Sequence, residues 1–565
     1  MIEVPLWLVP TVPLALVFAL CIPVLRPYVR ALMPLTPLPA LLAALADPSP
    51  VPLRLDWLLL GTDLALTETA APFLVFTALL WGLAGWQLTR LLASDPTQNR
   101  TTLCFLFAMT GNLGLLIAQD MASFYTFFAM MSLASWGLVL HGGGAAQTFA
   151  GRVYIVFAIA GEVALFAGLA MGAFAASDLA LSAMTGETVP LLATALVSVG
   201  FLTKLGAVPL HLWLPLAHAA APAPASAVLS GAMLKAGLFG LITVLPLGQT
   251  ALPEVAAVFA AMAVAGLIVG PILGLVQGDP KAVLAYSSIG QMSLILLGLA
   301  TALAAPETWS MIAPALVILA VHHAFAKAAL FLGVPVVWSL DKGASRIAVL
   351  ALLALPALAL AGLPGTSGWL AKDALKAALT DAPFGWTVWL GAALFLASLG
   401  TALLMLRALF LLAGAAHKPE IARDVALPWL AMTALVVFGL AIANIAPDVA
   451  KVSSIIDLLP LATAGALAAL GGLVFRYAGL RLEPAAPGEL LGMVHGVSRP
   501  KPALKPMPPK RARPLVTRRA NAALLQPERG ALAILSIAVA LTLFIALVPA
   551  LAPLAPPLPA VEEAQ

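Results

Sequence analysis

Four lysines lie inside or beside long apolar runs: Lys204, Lys235, Lys327 and Lys372. His211, His218 and His323 stand between them, and Glu162 and Asp373 are the carboxylates near them in the same kind of surroundings. These residue types suit proton transfer. Desolvation disfavours charge, so a lysine and a glutamate in hydrocarbon both move toward neutrality, and a nearby opposite charge reverses each shift. Moving a partner charge would therefore make such a lysine take up or release a proton, and histidines between lysines can relay it through water. A chain of this kind works without cofactor or metal, and neither is expected. The sequence has no CxxC pair and no Gly-rich phosphate loop. His322 and His323 are adjacent and face different sides of a helix, which makes a poor metal pair. Cys21 and Cys104 sit in apolar runs and read as inert packing residues.

Each of these residues also has a bland explanation. A lysine can snorkel to the interface, and that serves for Lys376, near a boundary. It serves badly for Lys204, Lys235 and Lys327, which fall within their apolar runs. Charge near the bilayer centre is expensive, so it points to function by default. His323 precedes Lys327 by four residues and shares its helix face. Glu162 is the only carboxylate so deep in the first half of the chain. His211 and His218 stand as relay candidates, although a buried histidine often only satisfies its neighbours.

The elements that must hold these residues are membrane helices. The chain has 565 residues, of which 62% are hydrophobic and 10% charged, and a soluble domain keeps a far more charged skin. Apolar runs of about 20 residues predict spans at 4–25, 31–46, 70–90, 101–119, 121–140, 150–174, 188–217, 223–247, 255–276, 282–304, 309–338, 346–380, 386–413, 426–446, 457–476 and 531–551. The expected fold is an all-α polytopic membrane protein of about 16 helices. The runs at 188–217 and 346–380 are too long for simple spans and carry internal Pro or Gly, so they read as interrupted helices. The first run has Glu3 before it and no basic leader, so it reads as a retained helix. With the N-terminus outside, the inside loops collect Arg26, Arg90, Arg152, Lys281, Arg346 and Lys418, while outside loops hold only Arg54 and Lys451. That alternation fits the inner membrane of a cell.

The organisation follows from these spans. Residues 1–100 hold the N-terminal helices and an exterior loop. Two five-helix blocks follow at 101–247 and 255–413, with peripheral helices at 414–476. Residues 477–530 are Pro-rich and basic, without apolar periodicity. They are expected to be a cytoplasmic topology anchor, or to touch anionic lipid headgroups or a partner subunit. The last span and tail occupy 531–565. Nothing suggests a nucleic-acid partner. Within the two blocks, Lys204-Leu-Gly-Ala-Val-Pro209 and Gly362-Leu-Pro364 through Lys372-Asp373 each set a lysine beside a helix break. Five spans per block is odd, so the second block enters the membrane from the opposite side, the arrangement of inverted transporter repeats.

The same residues carry a family resemblance. The stretch from Lys204 through His211, Pro215 and His218 to Lys235 resembles the signature of antiporter-like subunits of respiratory complex I, of Mrp-type cation/proton antiporters and of membrane-bound hydrogenases. Lys281-Ala-Val-Leu-Ala-Tyr286-Ser-Ser-Ile-Gly-Gln291, His323-Ala-Phe-Ala-Lys327 and Gly368-Trp-Leu-Ala-Lys372-Asp373 resemble three further motifs in the same order. The resemblance covers about residues 70–413. It implies two inverted five-helix bundles with Lys204, Lys235, Lys327 and Lys372 on a central hydrophilic axis. It also implies proton movement coupled to redox chemistry in a separate arm, or exchanged for sodium. Two positions depart from the pattern. Ala129 stands where the family usually has a glutamate that pairs with the lysine matching Lys204, and Glu162 is the nearby replacement. Leu216 stands where an acidic residue is frequent.

The expected function is a proton-translocating subunit of a complex I-like, hydrogenase-like or Mrp-like assembly, with other membrane subunits as partners and electron transfer left to a soluble redox arm. The alternatives are a proton-coupled subunit serving a carbon-capture partner, and a non-conducting structural subunit.

Overall fold

Apolar sequence of this length folds into helices because a helix satisfies its own backbone where water is absent. The computed structural model describes residues 4–45, 52–186, 188–380, 382, 385–443 and 455–478, all within one compact unit. The span expected at 531–551, nearly all of the basic segment 477–530, and the loop residues Asp47, Glu187, Asp381, Asp448 and Lys451 lie outside the described residues.

The helices run in chain order. They begin with α1 (Leu8–Cys21), α2 (Arg26–Leu32) and α3 (Leu38–Ala44), then α4 (Ala70–Leu91), α5 (Gln98–Gly114), α6 (Met121–Val139) and α7 (Ala145–Ala176). Next come α8 (Leu191–Leu205), α9 (Trp213–Ala220), α10 (Ala223–Val228) and α11 (Leu234–Val244), the last two joined by a π-helical turn, Leu229–Met233. The second half holds α12 (Pro253–Leu275), α13 (Pro280–Ala304), α14 (Trp309–Trp338), α15 (Ala344–Ala361), α16 (Ser367–Ala378) and α17 (Thr387–Gly414). Last are α18 (Ala426–Ala443) and α19 (Leu459–Ala478). A short antiparallel hairpin, β1 (Leu53–Leu55) and β2 (Thr62–Leu64), pairs Arg54 with Asp63 in register.

Among the described residues, nine helices are long and apolar enough to cross a membrane, or ten if a bent N-terminal pair is one span. That pair, Leu8–Cys21 and Pro23–Ala44, turns through 120°. The two spans expected at 4–25 and 31–46 are therefore short pieces: Pro23, Pro27, Pro34, Pro37 and Pro39 interrupt the ladder of backbone bonds. Both expected interruptions occur. Gly206 ends α8 with a positive φ of 77°, and Gly362 ends α15 with a φ of 93°, a conformation that glycine adopts freely.

Burial sorts the helices. The most apolar 18-residue window is 94% buried in α13, 89% in the α10–α11 segment and 83% in the segment containing α14, against 33% in α7 and 39% in α12, α15 and α17. The first three form the centre. The others keep an apolar outer face, with Val156, Val163, Ile272 and Phe410 all exposed, as a face toward hydrocarbon requires. Close helix contact depends on glycine at chosen places. A Cβ on Gly111 of α5 would lie 2.4 Å from the Met131 nitrogen and the Phe127 oxygen of α6. Gly111→Ala must therefore push α5 and α6 apart. We expect it to destabilise the protein by about 1–3 kcal/mol, read as a lower denaturation midpoint in detergent; an unchanged midpoint would contradict this packing.

Candidate functional site

Lys204 sits in the last turn of α8, where the chain is about to break. Its Nζ donates to Ser132 Oγ at 2.8 Å and to Tyr154 Oη at 3.3 Å. The Nζ is also 5.9 Å from the Phe128 ring centroid, so an aromatic face helps to hold a charge there. Tyr154 is fixed in turn by donating to Ser132 O at 2.9 Å. Trp213 Nε1 donates back across the break to Thr203 O at 2.9 Å, satisfying a carbonyl at the end of α8.

Glu162 enters the same place from α7. It is buried, its carboxyl group also contacts Ser132, and its Oε1 has no hydrogen-bond partner. Ser132 thus touches both the acid and the amine. A cavity of about 20 Å³ lies among Ser132, Tyr154, Glu162, Thr203, Lys204 and Trp213, enough for about one water molecule. Ala129, one turn of α6 before Ser132, supplies no carboxylate here.

The buried centre holds the next contacts. Lys235 opens α11 just after the π turn, and its Nζ donates to Ser230 O at 2.7 Å and meets His323 Nδ1 of α14. A π turn leaves a carbonyl out of the regular ladder, and here the lysine takes it. Lys327, one helical turn after His323, donates to Leu284 O at 2.7 Å and to Ser287 Oγ, both on α13. Ser230 and Ser288 are linked at 2.8 Å through their hydroxyls.

In the second half, Thr366 caps α16 by accepting from Trp369 N at 3.4 Å. Lys372, half-buried on this helix, donates to Ala361 O at 3.1 Å and to Ser398 Oγ of α17 at 3.3 Å. Asp373 is half-buried beside it on the chain and shares none of these contacts. His211 is buried in the α8–α9 connection with neither ring nitrogen partnered. His218 is likewise buried and unpartnered, and stacks on Phe331 at 4.8 Å. The structure therefore brings Lys235 and His323 into contact, with Lys327 one turn further along α14. It sets Glu162 and Lys204 around one serine, and it leaves His211, His218 and Asp373 without a hydrogen bond to another member of the set.

Two residues read as loop charges prove to be buried. Lys281, in the first turn of α13, is 6% exposed and donates to Ala221 O at 2.7 Å. Ala221 is where α9 stops before α10, so this lysine holds the joint between them. Arg346, 2% exposed, donates to Leu412 O at 2.7 Å and Ala415 O at 2.6 Å and so closes the C-terminal end of α17. Sequence reasoning placed both on the aqueous side because each falls at the edge of an apolar run. His322 was also passed over, as half of a poor metal pair. Its Nδ1 lies 2.8 Å from Ser367 Oγ, and its Nε2 is unpartnered.

Among the described residues, buried Lys204, Lys235, Lys281, Lys327 and Arg346 face only Asp120 and Glu162 as buried acids, and Asp120 is spent capping α6. No group of three or more His, Cys, Asp or Glu side chains could hold a metal there. The site is a set of buried amines held by hydroxyls and backbone carbonyls, with one carboxyl group among them.

A helical membrane core with interrupted helices and lysines inside it is the architecture of antiporter-like membrane proteins. The family described as NADH:quinone oxidoreductase/Mrp antiporter, TM matches residues 118–400, half of the chain, and the chain belongs to it. Hydrogenase-4 component B of Escherichia coli (strain K12) is 35% identical over 233 residues, which are 39% of this chain and 35% of that protein. NAD(P)H-quinone oxidoreductase chain 4 2 of Thermosynechococcus vestitus is 33% identical over 255 residues, 42% of this chain and 46% of that one. The chain thus spans about a third to a half of the length of the curated relatives it matches. Two solved assemblies share the fold. One is the membrane-bound sulfane sulfur reductase, an archaeal respiratory membrane complex, with TM-score 0.65, 20% identity and coverage of 77% of this chain and 94% of that one. The other is the Mrp complex from Dietzia sp. DQ12-45-1b, with TM-score 0.62, 23% identity and coverage of 84% and 94%. The chain is accordingly a multi-pass, antiporter-like membrane protein of this family.

The Lys281 contact carries its own test. In Lys281→Met the Ala221 carbonyl stays buried without a donor, a loss of about 1–3 kcal/mol. We expect faster amide exchange at residues 218–226 and a lower denaturation midpoint; exchange equal to wild type would show that the joint does not depend on this lysine.

Proposed function

We propose that this chain moves protons across the membrane within a multi-subunit complex I-like, hydrogenase-like or Mrp-like assembly, along an axis formed by Glu162, Lys204, Lys235, His323, Lys327 and Lys372. Asp373 tunes the far end, and His211 and His218 serve as relay positions beside the first break. The observation that carries this reading is the buried contact of Lys235 Nζ with His323 Nδ1. An amine and an imidazole in contact away from water compete for one proton, and a neighbouring charge decides which holds it. Glu162 takes the role of the glutamate absent at Ala129, acting on Lys204 through Ser132.

Several finer points belong to the same proposal. Residues 101–247 and 255–413 act as two inverted five-helix repeats, an idea supported by the break between α8 and α9 in one and between α15 and α16 in the other. The full complement is about 16 helices in the inner membrane, with the N-terminus outside. The chain holds no redox cofactor. Other membrane subunits flank it, the soluble partner is a redox arm or a carbon-capture subunit, and the basic segment 477–530 meets anionic lipid.

Reconstitution of the complete complex into liposomes with a trapped pH-sensitive dye, with and without sodium, tests this reading. Glu162→Gln keeps the shape and removes the charge. We expect it to slow proton movement by at least about a hundredfold without loss of assembly. Wild-type transport in Glu162→Gln would remove Glu162 from the path, and wild-type transport in Lys204→Ala would remove the axis. A rate that requires sodium would replace direct proton translocation by exchange.

A further inference from the structure

Arg407 stands in the second half of α17, inside the apolar span Val388–Gly414. That span has 27 residues, about 40 Å of helix against about 30 Å of hydrocarbon. Arg407 precedes its last residue, Gly414, by about 10 Å along the axis, so a centred span puts the arginine just inside the hydrocarbon edge. Helix α12 runs beside α17 in the same direction. A Cβ on Gly400 would lie 2.3 Å from Pro271 Cγ, and a Cβ on Gly274 would lie 2.6 Å from Leu404 Cδ2. Arg407 Nη2 donates to Gln277 O at 2.9 Å. These three contacts advance together along both helices. The first helix stops at Leu275, whereas α17 continues past Arg407 to Gly414 and leaves a step at the membrane edge.

The bond to Gln277 accounts for only part of this side chain. It satisfies a carbonyl just past the end of α12, and a neutral amide could do the same. A guanidinium carries five N–H donors, and among the described residues Arg407 makes this one hydrogen bond and no ion pair. Its Nε is enclosed without a partner, while Nη1 is unpaired and open. Asp279, the acid on the adjoining turn, is engaged in capping α13 through Lys281 N at 2.7 Å and Ala282 N at 3.1 Å. The flanks of the seam are apolar and face outward: Ile268, Ile272 and Val276 recur every fourth residue, and Leu406 and Phe410 do so on α17, all of them exposed. A cation at the hydrocarbon edge with no acid beside it is costly unless an anion comes to it from outside.

We propose that the seam between α12 and α17 binds an anionic phospholipid, with its phosphate accepting from Arg407 Nη1 and its acyl chains lying along Ile272, Val276 and Phe410. A bond from a guanidinium to a phosphate oxygen is charge-assisted on both sides and stronger than one between neutral groups. The step beyond Leu275 gives the headgroup its place at the level of the arginine. Free phosphate would match the guanidinium and leave the apolar stripes without a partner. A phospholipid matches both, because it carries its charge where the hydrocarbon ends. None of the residues assigned to proton movement belongs to this seam, so the lipid site stands or falls apart from the transport reading.

Photolabelling of the complete complex with phosphatidylglycerol that carries a diazirine in one acyl chain tests the site. We expect label in residues 268–276 and 403–410, displaced by unlabelled phosphatidylglycerol and not by phosphatidylcholine. Arg407→Gln can still donate to Gln277 O but carries no charge. Labelling of these two stretches is expected to fall about fivefold in that variant, with the denaturation midpoint in detergent unchanged. Wild-type labelling in Arg407→Gln overturns the proposal. Should that variant fail to assemble, the wild-type complex decides the matter: label absent from both stretches, or equal displacement by the two lipids, overturns the site.

Discussion

The structure depends on giving an ammonium group oxygen partners where water is scarce. An unpaired cation inside hydrocarbon is too costly to keep, and the described part of this chain supplies few carboxylates to pair with. The partners are instead backbone carbonyls and hydroxyls. Lys235 takes the Ser230 carbonyl beside a π turn, Lys281 takes Ala221 where α9 stops, and Lys372 takes Ala361 at the end of α15. In each case the carbonyl lies where regular helical bonding is interrupted. At these three places the break and the buried lysine explain one another: the break frees an acceptor, and the lysine spares it from being buried unsatisfied, whereas Lys204 bonds two hydroxyls and Lys327 bonds Leu284 O within unbroken α13.

This coupling explains which parts of the site were legible in the sequence. Lys204, Lys235 and Lys327 stood out because a charge within an apolar run is conspicuous. The two interruptions stood out because Gly206 with Pro209, and Gly362 with Pro364 and Gly365, cannot continue a helix smoothly. The N-terminal pieces were harder to read, since hydropathy over 4–46 looks like two spans until its prolines are given their full geometric weight. Lys281 and Arg346 escaped for a different reason. Each lies at the edge of an apolar run, where charge is ordinary, and only the packing of α9 against α13 and of α15 against α17 shows that they are buried. No local pattern could reveal that Ser132 would serve both Glu162 and Lys204, because the three residues come from α6, α7 and α8.

The two ends of the lysine set are built differently. Around Lys204 the chain provides an aromatic ring, two hydroxyls, a carboxylate and a cavity of about 20 Å³. Around Lys372 it provides one carbonyl and one hydroxyl, with the amine half-buried. Both lysines sit beside a glycine-terminated helix, yet the first is enclosed by side chains and the second by backbone. An amine enclosed by side chains can be influenced by whatever moves those side chains, above all the carboxylate. An amine enclosed by backbone is influenced by the joint itself, because a small change at Gly362 alters its acceptor.

That difference gives meaning to the direction in which each histidine of α14 points. A helix with one histidine could address only one side of the core. Two consecutive histidines address the π turn of the first half and the α15–α16 joint of the second from a single rigid element, and α14 is among the most deeply buried helices of the structure. Rigidity matters here because hydrogen bonds lose most of their strength over a fraction of an ångström or a modest change of angle. Helix α14 fixes both rings relative to each other, so a shift of either joint changes one contact while the other stays in place.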